Sequence, residues 1–252
     1  MPELFSFQEA ALLAAIAFLG ALIFGITGFG SALVTIPLAS HFVPLKFALA
    51  LFALVDLACA LSVGLENPRN AVASEFKRLV PMILAGTVLG ATLLVNLPRQ
   101  TGMLLLGLFV LCYSIYSFYS LIRRQSQKTI SRGWAWLAGL AGGVSSTVFG
   151  AGGPPYVIYL SQRGLSKEQF RATLGLTIIS SISLRIVAFF LTGLLLDAHV
   201  WMSALAAVPA ALLAIYLSKK MYLKISHEIL MRAVAALLLV SGGSLIFRAW
   251  YQ

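Results

Sequence analysis

Two glycine-rich stretches carry residues of this chain that could do chemistry. The first reads GITGFGS at residues 25–31, and the second reads SSTVFGAGGPP at residues 145–155. Glycines permit backbone conformations and close approaches that other residues do not, and a double proline suits the first turn of a new helix. Each stretch therefore predicts that one helix ends there and another begins.

A helix that begins at such a break presents N–H groups without intrahelical partners and a partial positive charge. If both helix starts point inward, these groups form an anion site, to which serine and threonine hydroxyls can donate further hydrogen bonds. The alternative is that the small residues only allow helices to pack closely. The residues predicted to bind substrate are Thr27, Gly28, Phe29, Gly30, Ser31, Ser145, Ser146, Thr147, Gly150, Gly152, Gly153, Pro154 and Arg185.

Two charged residues lie in the middle of apolar segments. Arg185 lies in TIISSISLRIVAFFL, and Asp56 lies in FALVDLACA. An arginine at the centre of a membrane helix costs on the order of 3 kcal/mol, so it should face the protein interior and have a partner. Asp56 and Arg185 could form a structural ion pair with each other. Alternatively, Arg185 adds charge to an anion path, or Asp56 carries a coupling proton.

The surrounding chain has the composition of an integral membrane protein. Of its 252 residues, 60% are hydrophobic and only 10% are charged, and its mean hydropathy is +0.94. A strand of a membrane barrel would alternate every second residue, whereas these apolar runs are continuous and long enough for helices. Lipid cannot satisfy free backbone groups, so the two breaks should be covered by protein or line a water-filled cavity.

The chain divides into ten apolar segments, two of which are too short to span a membrane comfortably. These two, at 30–43 and 152–163, each follow a glycine-rich break and could be re-entrant. The predicted fold is therefore an all-α polytopic membrane protein with eight to ten membrane segments. The ten segments are residues 8–25, 30–43, 45–64, 79–97, 101–122, 134–150, 152–163, 169–196, 200–218 and 228–248.

Most of the 18 lysine and arginine residues fall in four clusters, at residues 69–78, 123–132, 163–171 and 219–232. The ten-segment arrangement places all four clusters on one side of the membrane. By the positive-inside rule that side is cytoplasmic, and both chain termini are then outside, in the periplasm. Because orientation explains the net charge of +10, no nucleic-acid partner is expected.

The two halves of the chain resemble each other weakly. Phe29 and Gly30 correspond to Phe149 and Gly150, and the basic loop at 69–78 corresponds to the loop around Asp197, which has no basic residue. Equivalent loops on opposite sides of a membrane are typical of inverted-topology repeats. The prediction is two such repeats of about five segments each, at 1–122 and 134–252, joined by a cytoplasmic linker at 123–133. The alternative is accidental self-similarity.

The breaks also resemble motifs of a known family. GITGFGSALVTIPL at Gly25–Leu38, GGVSSTVFGAGGPPYVIYL at Gly142–Leu160, RATLG at Arg171–Gly175 and GLL at Gly193–Leu195 resemble the TauE/SafE sulfite exporter family. The resemblance covers nearly the whole chain. It implies an inner-membrane transporter for small anions, among them sulfite, thiosulfate and sulfonates. It also implies that the two glycine-rich segments are important for function.

The prediction is a secondary transporter, an exporter of such anions, that works by alternating access and needs no cofactor or metal. Its expected partners are a small anionic substrate and the lipid bilayer, and a homodimer is a further candidate. A passive anion channel is an alternative, because glycine-lined breaks also build selectivity filters. An intramembrane enzyme is disfavoured, because the histidines lie near segment ends and Asp56 has no second acid beside it.

Overall fold

The computed structural model describes residues 7–122, 129–221, 238–244 and 246–247. Within these residues the chain is helical and contains no β-strand, which confirms the predicted all-α fold. Short 3₁₀ turns at Pro68–Asn70 and Arg132–Trp134 precede the fourth and sixth helices, and residues 238–244 are helical as well. The helices are α1 Phe7–Thr27, α2 Ser31–Ala39, α3 Leu45–Gly64, α4 Ala73–Asn96, α5 Arg99–Ile122, α6 Ala135–Phe149, α7 Gly153–Ser161, α8 Lys167–Leu191 and α9 Ala198–Met221.

Five of the described helices, α1, α3, α4, α8 and α9, are long and apolar enough to cross a membrane. At a rise of 1.5 Å per residue, about 20 residues cover a hydrocarbon core of roughly 30 Å. Large apolar side chains such as Val88, Leu93 and Leu205 lie exposed on their outer faces. Such faces are stable against lipid and unfavourable in water.

The predicted segments match these helices with local shifts at their ends. Segment 45–64 coincides with α3, whereas α4 begins at Ala73, before the predicted start at 79, because its polar first turn buries Glu75. In α8 the helix ends at Leu191, before the predicted end at 196, because Gly193 adopts a left-handed φ of 82°. Most of the tenth segment, 228–248, lies outside the described residues.

Each glycine-rich stretch separates a long helix from a nine-residue helix that folds back along it. In the first hairpin, formed by α1 and α2, a Cβ on Gly20 would collide with the side chain of Thr35. In the second hairpin, formed by α6 and α7, a Cβ on Gly142 would collide with the ring of Tyr156. The two short segments therefore form the return arms of two tightly packed helical hairpins.

The two return arms end at opposite ends of the molecule. His41, just after α2, is hydrogen-bonded to Ser244, and the nearby Lys46 Nζ donates to the carbonyl of Val95 near the C-terminal end of α4. Arg163, just after α7, instead bonds to Glu75 in the first turn of α4. Since α4 runs the length of the bundle, α2 and α7 approach the centre from opposite directions.

Basic residues collect at the end of the molecule where α7 finishes, which we call the basic end. Two acids, Glu66 before α4 and Glu75 in its first turn, form ion pairs with these basic residues. Members of the clusters at 123–132, 163–171 and 219–232 thus lie beside the 64–78 segment. The pairs are Glu66 with Arg171 at 3.7 Å and with Lys219 at 2.8 Å, and Glu75 with Arg132 at 3.7 Å and with Arg163 at 3.0 Å.

A candidate anion site between two helix breaks

The tips of the two hairpins contact each other at the centre of the bundle. A Cβ on Gly153 would lie 3.0 Å from the ring of Phe29, and a Cβ on Gly150 would lie 3.0 Å from Ile36 on α2. Gly30 precedes α2 with a φ of 90°, and Gly150 ends α6 with a φ of 74°. Gly30 is favoured for its left-handed backbone, and Gly150 both for its left-handed backbone and for the close approach.

A cavity of about 30 Å³ lies between these tips, with room for roughly two water molecules. The first residue of α2, Ser31, and the first residue of α7, Gly153, both border it. Its other polar side chains are Asp56, Ser146, Tyr156 and Ser181. The cavity therefore receives two helix N-termini and several hydroxyl groups, the donors that a small oxyanion needs.

Eight of the residues predicted to bind substrate line this cavity: Phe29, Gly30, Ser31, Ser146, Gly150, Gly152, Gly153 and Pro154. Ser145 and Thr147 are buried, but their hydroxyls donate to the carbonyls of Gly142 and Gly143 within α6. Thr27 and Gly28 line a separate small cavity, together with Arg171 of the basic end. The structure thus brings most of the predicted set together and leaves these four apart.

Arg185 and Asp56 form a buried ion pair beside the cavity. Arg185 Nη2 lies 3.0 Å from Asp56 Oδ2, and Arg185 Nη1 donates to the carbonyl of Ser146 at 3.0 Å. Ser31 Oγ donates to Asp56 Oδ1 at 2.6 Å. Because Ser31 begins α2 and Ser146 lies in the last turn of α6, the pair joins the two breaks to each other through α3 and α8.

The environment of Arg185 explains how a charge is tolerated at this depth. The residue is 0% exposed, and burial of a charge is costly unless a partner and hydrogen bonds compensate it. A Cβ on Gly150 would lie 3.2 Å from Nη1, so the glycine lets the guanidinium approach the backbone of the break. Within the described part of the chain, Arg185 Nε is buried without a hydrogen-bond partner.

Sequence comparisons match the resemblance noted from the motifs. The family model described as Sulfite exporter TauE/SafE matches residues 13–245. The chain belongs to the TauE/SafE sulfite exporter family. It is thus a multi-pass membrane protein of a transporter family, and the glycine-rich motifs of this TauE/SafE member form the hairpin tips.

Two curated relatives of this TauE/SafE protein cover most of the chain. The Probable inner membrane transporter protein TsaS of Comamonas testosteroni is 26% identical over 198 residues, which are 78% of this chain and 82% of that protein. The Probable sulfite/organosulfonate exporter TauE of Cupriavidus necator is 27% identical over 233 residues, 89% of this chain and 88% of that protein. No solved structure matches the chain significantly.

A second buried acid of this TauE/SafE protein, Glu75, was not predicted from the sequence. Glu75 is 2% exposed and accepts hydrogen bonds from Tyr159 Oη at 2.5 Å and from Arg163 Nε and Nη2 at 3.2 and 3.0 Å. Arg163 Nη1 also donates to the carbonyl of Ile130. The available signal was a lone acid in the basic cluster at 69–78, with Tyr159 and Arg163 one helical turn apart. The bonds of Tyr159 and Arg163 to Glu75 hold the base of the second hairpin against α4.

Proposed function

We propose that the protein is a secondary transporter of the inner membrane that exports a small sulfur-containing or organic anion, such as sulfite, thiosulfate or a sulfonate. The observation that carries the proposal is the meeting of two helix breaks around a cavity with a buried arginine, Arg185, directly behind one of them. The substrate class is supported by the names of the relatives, a probable inner membrane transporter and a probable sulfite/organosulfonate exporter.

The chemistry of binding follows from the donors at the two helix starts. The first N–H groups of α2 have no intrahelical acceptor, and the Ser31 hydroxyl lies beside them. In α7, Pro154 and Pro155 lack N–H groups, so Gly152 and Gly153 carry the free donors of that end. The anion is held mainly by these dipoles, with Ser146 and the Arg185 guanidinium behind them.

Alternating access is the mechanism that we infer for this site. Two inverted-topology repeats, at 1–122 and 134–252 with a linker at 123–133, account for hairpins whose return arms end at opposite ends of the molecule. In such transporters the repeats rock about a site between them. The basic end is then cytoplasmic and both termini are periplasmic.

Transport by purified protein in proteoliposomes tests the proposal, with sulfite, thiosulfate and sulfoacetate as substrates. Gly153→Leu should abolish flux, because its side chain would fill the space between Gly153 and Phe29 and enter the cavity. Gly243→Leu is the matched control, since Gly243 is exposed on its helix and no atom lies within 4 Å of the added Cβ. Gly243→Leu should transport at the wild-type rate.

Three outcomes distinguish the candidate functions. Saturable flux with counterflow supports a carrier, whereas flux that neither saturates nor shows counterflow would indicate a passive channel through the same breaks. Normal flux by a stably inserted Gly153→Leu protein would remove the cavity from the transport path.

A further inference from the structure

The charge around the central cavity is the opposite of what an anion needs. Asp56 lines the cavity, while the described lining contains no lysine, arginine or histidine. Arg185 lies behind Gly150 with one nitrogen bound to Asp56 and another to Ser146. An anion that enters the cavity therefore meets a carboxylate first, and the compensating cation is already paired.

Asp56 occupies the donors that an oxyanion would use. One carboxylate oxygen accepts from Ser31 at the start of α2, and the other accepts from Arg185. The guanidinium is a planar fork with five N–H groups, suited to a sulfonate or carboxylate as well as to aspartate. Arg185 Nε has no partner in the described structure, so the guanidinium does not use all of its donors in the resting site.

We propose that a monovalent transported anion competes with Asp56 for Arg185 and Ser31, and that one proton binds Asp56 for each such anion bound. The inference rests on the proposed function and deepens it. In the resting site, one negative and one positive charge sum to zero. When the anion replaces the carboxylate, a proton on an Asp56 oxygen restores the zero sum, and the neutral acid releases Arg185 to the anion.

The physical reason for the proton is the cost of an unbalanced charge at this depth. Asp56 is 3% exposed and Arg185 is 0% exposed, so neither water nor salt can screen a second anion effectively. An anion that entered without a proton would leave the buried site with a net negative charge. Proton uptake removes that charge.

The surroundings leave Asp56 as the group that takes the proton. On the elements bordering the carboxylate, the nearest titratable side chains are Arg185 on α8, Tyr156 on α7 and Cys59 on α3 itself, and α2 and α6 contain none. The other titratable residues of these helices lie toward the helix ends: Lys46 on α3, Tyr159 on α7, and Lys167, Glu168 and Arg171 on α8. The Tyr156 hydroxyl is hydrogen-bonded to Ser181. On α1 and α9, which also pack against α3, the titratable residues lie toward the helix ends, and α5 approaches α3 near Leu45.

The test is anion binding to purified protein as a function of pH, with methanesulfonate as the probe because it is monovalent and stays ionised over the range used. Wild-type affinity should fall about tenfold for each unit of rising pH, and binding in weakly buffered solution should take up about one proton per anion. Asp56→Asn is neutral and nearly isosteric, so it should bind methanesulfonate with an affinity that does not change with pH.

Asp197→Asn is the matched control, the same substitution at an exposed acid that caps α9, and it should keep the wild-type slope. A flat wild-type profile, or binding without proton uptake, would overturn the inference while leaving an anion transporter intact. So would an Asp56→Asn protein that keeps the wild-type slope. If no anion binds at any pH, the proposed function fails and this inference fails with it.

Discussion

Arg185 holds three groups together at the centre of the molecule: the Asp56 carboxylate, the Ser146 carbonyl and, through Asp56, the Ser31 hydroxyl. Such a residue is expected to matter for stability whether or not it contacts substrate. Removal of one member of a buried pair leaves the other charge uncompensated, which typically costs about 3–5 kcal/mol. A single substitution of Arg185 therefore cannot separate a structural role from a functional one.

A double substitution can separate the two roles. Arg185→Ala alone should lower the free energy of unfolding in detergent by about 3–5 kcal/mol, because Asp56 stays buried without its partner. Arg185→Met combined with Asp56→Leu should recover most of that loss, since well-packed apolar replacements of buried pairs are often neutral or stabilising. The double variant should nevertheless fail to bind anions. If a stable double variant binds anions with the wild-type affinity, the pair has only a structural role.

The sequence predicted which two residues form the central ion pair, but not how their side chains are arranged. Asp56 and Arg185 stood out because charge is rare in mid-membrane, and such residues usually have a partner. Their hydrogen bonds to Ser31 and to the carbonyl of Ser146 depend on how four helices meet, which no spacing along one segment reveals. The same limit applies to Ser145 and Thr147, whose hydroxyls bond within their own helix.

Among the helices, the glycines serve two different purposes. Gly86 of α4 faces the backbone of α6, where a Cβ would lie 3.0 Å from the Val144 nitrogen and 3.1 Å from Gly143 Cα. This is close packing of small residues, the role that was the alternative for the two glycine-rich breaks. Gly150, Gly152 and Gly153 instead line the cavity. Composition could not divide the glycines between these purposes, because the division depends on which neighbour each one faces.

The second hairpin is held at its base by Glu75, and this attachment can be tested by a pair of matched substitutions. Glu75→Gln removes a charge that accepts bonds from Tyr159 and Arg163 at a buried position, so it should cost about 1.5–3 kcal/mol of unfolding free energy. Glu66→Gln breaks pairs that are partly exposed, and should cost at most about 1 kcal/mol. Chemical denaturation in detergent measures both.

Loss of the Glu75 contacts is expected to change the mobility of the second hairpin but not that of the first. Loss of the Glu75 attachment should increase amide hydrogen exchange in α7 and in the segment at 129–132, because both are held by Arg163. Exchange in α2 should stay unchanged, since α2 ends at the opposite end of the molecule. If Glu75→Gln and Glu66→Gln lower the free energy of unfolding equally, or if amide exchange rises equally in α2 and α7, then Glu75 does not hold the second hairpin against α4.

For the whole molecule, the inverted-repeat proposal fixes the position of both chain ends. Reporter fusions in the linker at 123–133 should be cytoplasmic, and fusions after Gln252 should be periplasmic, because the basic clusters favour the cytoplasmic side. Cysteine labelling at Gly133 and at Phe42, which lie in loops toward opposite ends, provides an independent check. A C-terminus on the same side of the membrane as the 123–133 linker would be incompatible with two repeats of five segments.

The energetics of the complete cycle provide the most demanding prediction. A monovalent sulfonate that moves alone carries one negative charge, and a potential of 100 mV then shifts its equilibrium by about 2.3 kcal/mol, roughly 50-fold in concentration ratio. If a proton on Asp56 accompanies each anion, the cycle moves no net charge. Wild-type proteoliposomes loaded with methanesulfonate should therefore reach the same distribution with and without an imposed potassium diffusion potential.

In Asp56→Asn the proton site is lost, so the same potential should drive methanesulfonate toward the positive side by up to that factor. Asp197→Asn should behave like the wild type, because its acid lies far from Arg185 at the start of α9. A wild-type distribution that follows the potential would show that the anion crosses without its proton. In that case the Asp56–Arg185 pair would have to open on anion binding while both groups remain charged.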